Sequence, residues 1–77
     1  MHSWMKKRIE MGRKLLECVS AEPQGAFDLA AMVGEPDEIP LVSSILRALA
    51  KNGEVECFHC YGCYWYVTKG TDVSKFF

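Results

Sequence analysis

The feature that most constrains the fold of this chain is a change in the spacing of its hydrophobic residues at Gly53. Before Gly53, apolar residues recur at the three- and four-residue intervals of amphipathic helices. After it, residues 54–59 and 63–68 are rich in β-branched and aromatic side chains, and Tyr61-Gly62 between them suits a tight turn. The sequence therefore predicts helices followed by a two-stranded β-hairpin over about residues 54–68.

The first predicted helix covers about residues 3–20 and has a wide apolar side. Its apolar residues form two adjoining stripes, and together these predict a wide buried face. One stripe is Met5, Ile9, Gly12, Leu16 and Val19, and the other is Trp4, Met11, Leu15 and Cys18. Residues 21–26 contain Pro23 and Gly25, which break the helical pattern. We therefore expect a loop after the first helix.

Two further helices are predicted before the hairpin, at about residues 26–33 and 38–52. Gly34 suits the left-handed position just after a helix. Asp37 is the expected N-cap of the third helix, and Pro40 is tolerated there because the first turn of a helix has no internal partner for its N–H groups. The apolar stripe of the third helix is Val42, Ile45, Leu46 and Leu49, and Gly53 is its expected stop.

A chain of 77 residues predicts one α+β domain over residues 1–77. The tail, 69–77, is too short to form an element of its own, although Phe76 and Phe77 are expected to pack back onto the domain. No apolar run in the sequence approaches the roughly 20 residues of a membrane helix, and charged residues interrupt the apolar stretch near the N-terminus. We therefore expect a cytoplasmic protein that has no membrane partner.

The sequence carries no motif of enzymatic catalysis. It has neither a phosphate-binding glycine loop nor a nucleophile elbow. A chain as short as this is also not expected to enclose a paired-carboxylate pocket. We therefore expect that the protein is not an enzyme.

The order of helix, short helix, helix and hairpin resembles the winged helix-turn-helix family of small DNA-binding regulators. The residues that carry the resemblance are Leu29-Ala30 and Gly34, then Val42, Leu46 and Leu49, then 52–55 (NGEV) and 66–70 (YVTKG). Small bacterial and phage regulators are similar in size and style. The resemblance implies a regulator of transcription that binds duplex DNA, with the third helix in the major groove and the hairpin as the wing.

On this interpretation the third helix contacts DNA through Ser43, Ser44, Arg47 and Lys51. Arg47 is the leading candidate, since a guanidinium group can bind a base edge or a phosphate bidentately. The remaining candidate contacts are Lys6, Lys7, Arg13 and Lys14 of the first helix, and Lys69 after the hairpin. The alternative is that Arg47 and Lys51 form an ordinary solvated helix face.

The charge distribution keeps a second function open. The net charge is −1, and five of the nine Lys and Arg residues lie within the first predicted helix. Glu35, Asp37 and Glu38 cluster at the start of the third helix, where a phosphate would otherwise meet free N–H groups. A module that binds a protein, as a co-regulator, a phage-encoded inhibitor or a homodimer, is therefore the alternative hypothesis.

The cysteines in the predicted wing raise a third hypothesis. Cys57, Cys60 and Cys63 have the spacing of zinc or iron–sulfur ligands, and His59 and Cys18 are further candidate ligands. A turn at residues 61–62 would pair Cys60 with Cys63 and place Cys57 on the opposite face. A metal site, a redox-sensing thiol pair and ordinary thiols stay open, and ordinary thiols without a cofactor are favoured.

The aromatic residues of the hairpin also have two interpretations. Stacking on single-stranded nucleic acid is one, and packing within the domain is the other and the favoured one. Alternation along the strands predicts Phe58, Trp65 and Val67 on the core side. It leaves His59, Tyr64 and Tyr66 on the other side.

Overall fold

The computed structural model describes residues 3–76, and the side chains of residues 5–76. The elements are α1 (Ser3–Cys18), α2 (Ala26–Met32), α3 (Ile39–Lys51), β1 (Val55–Cys60), β2 (Cys63–Thr68) and a C-terminal 3₁₀ turn (Val73–Phe76). The two strands form one antiparallel sheet. The predicted α+β fold is thus confirmed, and its layout is that of a winged helix. The expected positions of the Trp4 side chain and of Phe77 lie outside the described residues.

Glycine ends α2 and α3 by the same device. Gly34 and Gly53 have φ values of 80° and 77°, in the left-handed region. After α2, the N–H of Gly34 donates to the carbonyl of Ala31 at 3.1 Å, and the N–H of Glu35 donates to that of Ala30 at 2.9 Å. The same pair of hydrogen bonds follows α3, and this Schellman motif gives partners to the last carbonyls of a helix. Both glycine stops were predicted and are confirmed.

The start of α3 differs from the prediction. Its N-cap is Glu38, whose side chain makes no capping hydrogen bond, and Pro40 lies in the first turn as expected. The prediction that Asp37 caps this helix is therefore wrong. The carboxylate of Glu38 instead accepts a hydrogen bond from Nζ of Lys7 in α1, at 3.3 Å.

The buried side of α1 is narrower than the predicted one, although Gly12 is buried as expected. Met11, Leu15 and Val19 are buried, whereas Met5, Ile9 and Leu16 are 41%, 48% and 37% exposed. The reason is that α2 and α3 cover the stripe of Met11 and Leu15 and leave most of the other stripe open. The core that results contains Met11, Leu15, Val19, Leu29, Ala30, Val42, Ile45, Leu46, Leu49, Val55 and Tyr66.

A two-residue turn closes the hairpin. Cys60 pairs with Cys63, and Tyr61 and Gly62 between them have φ values of 55° and 77°. Two consecutive positive φ values are typical of a type I′ turn, whose twist matches that of the strands. The indole N–H of Trp65 donates to the carbonyl of Cys60 at 2.9 Å and braces the turn. The predicted turn and the predicted cysteine pair are therefore confirmed.

The helix-facing side of the hairpin carries Tyr66. Val55 and Tyr66 lie in the core, and Cys57 packs against it, half-buried. The prediction placed Tyr66 on the side away from the core, and this is wrong, because its side chain is only 1% exposed. The alternation itself was predicted correctly, but the helices cover the face opposite to the one expected.

The other side of the hairpin is covered by the C-terminal 3₁₀ turn. The ring of Phe76 stacks on that of Phe58, with centroids 5.3 Å apart and planes 9° apart. Phe58 and Val67 are buried on this side, although they do not join the core between the helices. The predicted return of Phe76 is thus confirmed, and the hairpin is covered on both faces.

The loop after α1 holds the hairpin against the helices. Gln24 and Tyr66 exchange two backbone hydrogen bonds, of 3.2 and 2.9 Å, and the N–H of Thr68 donates to the carbonyl of Ser20 at 2.9 Å. The predicted loop therefore lies along the second edge of β2. This pairing fixes the position of the wing beside α3.

Candidate nucleic-acid interface

One side of α3 is open to solvent. Its exposed residues are Pro40, Ser44, Arg47, Ala48 and Lys51, and Ser43 beside them is half-buried. The sequence of α3 contains no Asp or Glu. This exposed face therefore carries two cations among small side chains. The small side chains allow the helix to fit closely into a wide groove.

Arg47 lies between α3 and the wing. Its guanidinium carbon is 5.5 Å from the centroid of the Tyr64 ring, within the range of a cation–π contact. The ring of His59 packs against Tyr64 in turn, with centroids 4.9 Å apart and planes tilted by 60°. Tyr64 is half-exposed, so the contact orients the Arg47 fork and leaves it accessible.

Arg8 of α1 also belongs to this surface, although the sequence did not single it out as a contact. Its Nη2 donates to Oγ of Ser44 at 3.1 Å. Arg8 precedes Met11 by three residues and Leu15 by seven, which puts all three on one side of the helix, and the packing of α1 shows that this side meets α3. A cation on that side points towards α3.

The cations of α1 do not form one patch. Lys7 forms an ion pair with Glu38, in which the two side chains are 49% and 39% exposed. Lys14 lines a shallow depression together with Lys7 and Glu35. An exposed pair of this kind contributes about 0–1 kcal/mol to stability, so its main effect is on the local charge. Lys7 and Lys14 face the acidic start of α3 and partly neutralise it.

The other candidate cations lie elsewhere. Arg13 lines the groove between α1 and α3 together with Arg8. Lys6 is exposed on the outer side of α1, near Glu10, and Lys69 is exposed just beyond the end of β2. The structure therefore brings Arg8, Arg47 and Lys51 together at the exposed face of α3, whereas Arg13 lies at the edge of the groove beside Lys6 and Glu10.

The wing cysteines divide between the two faces of the hairpin. Cys60 and Cys63 are directly paired across the strands, while Cys57 pairs with Tyr66 on the opposite face. Within residues 3–76, no three His, Cys, Asp or Glu side chains are grouped as metal ligands would be. The structure therefore brings Cys60 and Cys63 together and separates Cys57 from them, an arrangement that suits either a redox-sensing thiol pair or ordinary thiols.

Cys57 is a poor nucleophile in this environment. Burial raises its pKa above the usual 9.0, while a hydrogen bond with Tyr66 and the charge of Arg47 act against that rise. Burial also raises the pKa of Tyr66 from 10.0 to about 12. Because the thiolate is the reactive form of cysteine, the raised pKa disfavours reaction at Cys57, which packs against the core.

An exposed apolar surface was missed because its residues were assigned to the core. This surface, the α1 strip, consists of Met5, Ile9 and Leu16. Ile9 and Leu16 line a groove of about 380 Å³ between α1 and α3, and Met5 lies one helical turn before Ile9. Gly12, Ile45, Ala48 and Leu49 line this groove, with Asn52 and Glu54 at one end. Contiguous apolar surface of this kind is typical of a contact with another protein.

Comparison of the chain with protein-family models, with curated proteins and with solved structures found no match. The resemblance to winged-helix regulators therefore stays a prediction, and function has to be argued from the geometry. Across the described part of the chain, no helix has the length and apolar character needed to cross a membrane.

Proposed function

We propose that this protein binds duplex DNA through the exposed face of α3 and acts in transcriptional regulation. The observation that carries the proposal is the composition of that face, on which Arg47 and Lys51 stand among small residues without an acid. An α-helix fits the major groove of B-DNA, where its side chains reach base edges. The wing lies beside this helix and supplies a second line of contact.

The contacts divide by their geometry. Arg47, oriented by Tyr64, is the group that reads a base, since its fork matches the two acceptors of a guanine edge. Arg8 and Lys51 lie at the border of the exposed face and bind phosphates, and Ser44 exchanges its hydrogen bond with Arg8 for one with the DNA. With so few cations, affinity is modest and falls steeply with salt.

The first test is the affinity of Arg47→Ala for a duplex selected from a random library. Loss of a bidentate base contact should weaken specific binding by about 1–3 kcal/mol, measured by fluorescence anisotropy. Arg47→Lys keeps the charge but not the fork, and should recover only non-specific binding.

Lys14→Ala is the matched control, because it removes the same charge on the side of α1 that faces Glu35. Its affinity should stay within about twofold of that of the unchanged protein. Equal losses in the Arg47 and Lys14 variants would show a diffuse charge effect and would remove α3 as the reading element.

A protein-binding module is the second candidate function. It is favoured by the α1 strip, which no element of the described structure covers. The two functions are compatible, since the strip lies on α1 and the exposed cations Arg47 and Lys51 lie on α3.

A further inference from the structure

The α1 strip is a regular feature of the helix. Met5, Ile9 and Leu16 follow one another at intervals of four and seven residues, so they form one line along α1. Gly12 completes the interval and is itself buried beside Ile45 of α3. A helix that is already packed into a core through its adjoining stripe has no need of this second apolar line for its own fold.

A row of charges runs beside the strip. Lys6, Glu10, Arg13 and Glu17 occupy the positions that directly follow those of the apolar line, and all four are exposed. None of them takes part in an ion pair within the described residues. Their signs alternate from positive to negative along α1, so the same row read backwards has the opposite sign at every step.

This order makes the row complementary to itself in the antiparallel direction. A second copy of α1 laid antiparallel across the first brings Lys6 opposite Glu17 of the second copy, and Glu10 opposite its Arg13. Four favourable pairs result from one two-fold axis, because each pair occurs twice. Charge order therefore identifies the partner as another copy of this chain.

The same alignment also fits the apolar line. The two-fold axis passes close to Gly12, about 8 Å along the helix from Lys6 and from Glu17, at a rise of about 1.5 Å per residue. Ile9 of the second copy then lies between Gly12 and Leu16, and Leu16 of the second copy lies between Met5 and Ile9. The apolar side chains of the two copies therefore interdigitate where the helices cross.

We propose that the protein forms a two-fold symmetric homodimer by antiparallel packing of the α1 strips, with the charge row fixing the register. The interface is isologous and brings two α3 faces into one particle. The assembly does not depend on the proposed function, since it uses neither Arg47 nor Lys51.

Sedimentation equilibrium over a range of protein concentrations tests this proposal. The unchanged protein should show a reversible monomer–dimer equilibrium, and Ile9→Glu should weaken it by at least about tenfold. Ile9 is 48% exposed in the single chain, so the variant should keep its circular dichroism spectrum and its fold. A protein that stays monomeric at every concentration, or a dimer that Ile9→Glu leaves intact, would overturn the proposal.

A charge swap tests the register. Glu17→Lys should weaken the dimer by about tenfold by placing like charges opposite each other, and Lys6→Glu added to it should restore most of the loss. Glu22→Lys makes the same charge change in the exposed loop after α1 and should leave the dimer unchanged. If the double variant dimerises no better than Glu17→Lys, the antiparallel register is wrong.

Discussion

Tyr61 occupies a backbone conformation that its side chain does not favour. It has a φ of 55°, as the first central residue of the type I′ turn, and its side chain is 92% exposed. An ordinary L-residue in this region costs about 1 kcal/mol, while Asn is among the residues best suited to it. Tyr61→Asn should therefore raise the free energy of unfolding by about 0.5–1 kcal/mol in urea titrations. Gly62→Ala, at a φ of 77°, should lower it, and a stabilising Gly62→Ala would contradict the assigned turn.

Tyr66 gives the protein a defined sensitivity to alkaline pH. Its pKa is raised from 10.0 to about 12 because burial disfavours the phenolate. Between these values the unfolded chain loses a proton that the folded chain keeps, so stability is complete below pH 10 and falls as the pH rises towards 12. The loss should reach up to about 3 kcal/mol.

Urea unfolding at about pH 9.5 and about pH 11.5 measures this loss. Tyr66→Phe should remove most of the decline, because it has no proton to release. The half-buried thiol of Cys57 contributes a smaller decline of the same sign, which is present in both proteins. An equal decline in the two proteins would assign the effect to groups other than Tyr66.

At the scale of elements, α1 shows where sequence reasoning succeeds and where it ends. The 3.6-residue period predicted the helix correctly, but α1 has two neighbouring apolar stripes. Nothing within α1 indicates whether Leu15 or Ile9 meets the other helices, because that choice depends on how α2 and α3 cross it. The hairpin has the same ambiguity, since alternation separates Trp65 from Tyr66 without saying which face the helices cover.

Glycine positions were predictable for a different reason. Gly34 and Gly53 end helices through the backbone conformation that only glycine adopts freely, and this is a local property of the chain. The contact of Arg8 with Ser44, in contrast, joins residues 36 positions apart and depends on the crossing of α1 and α3. The candidate interface was thus partly readable from α3 alone, while its α1 component was not.

Two glycine-to-alanine variants should have opposite effects on stability. Gly12 lies inside α1, and an added Cβ would be 3.5 Å from Cγ2 of Ile45, an ordinary contact. Gly12→Ala should therefore stabilise the monomer by about 0.5–1 kcal/mol through helix propensity. Gly34 has a φ of 80°, and Gly34→Ala should destabilise by about 1–2 kcal/mol. Thermal unfolding at low protein concentration measures both, and a destabilising Gly12→Ala would show that the contact with Ile45 is tighter than described.

The whole molecule has a low net charge and two candidate binding surfaces, the exposed face of α3 and the α1 strip. Its net charge of −1 leaves little general attraction to DNA, so binding has to come from the local arrangement of Arg8, Arg47 and Lys51. A dimer through α1 would compensate for the small number of cations on each α3 face, because two such faces double the number of phosphate contacts.

The measurement that tests the central claim most directly is an amide NMR titration of the reduced protein with a mixed-sequence duplex, at low and at moderate salt. The account predicts shifts concentrated on α3 from Ser44 to Lys51, on Arg8 and on the wing around Tyr64, and a steep loss of affinity as salt rises. The absence of shifts on α3 at low salt, or shifts confined to the α1 strip, would contradict DNA binding by this face.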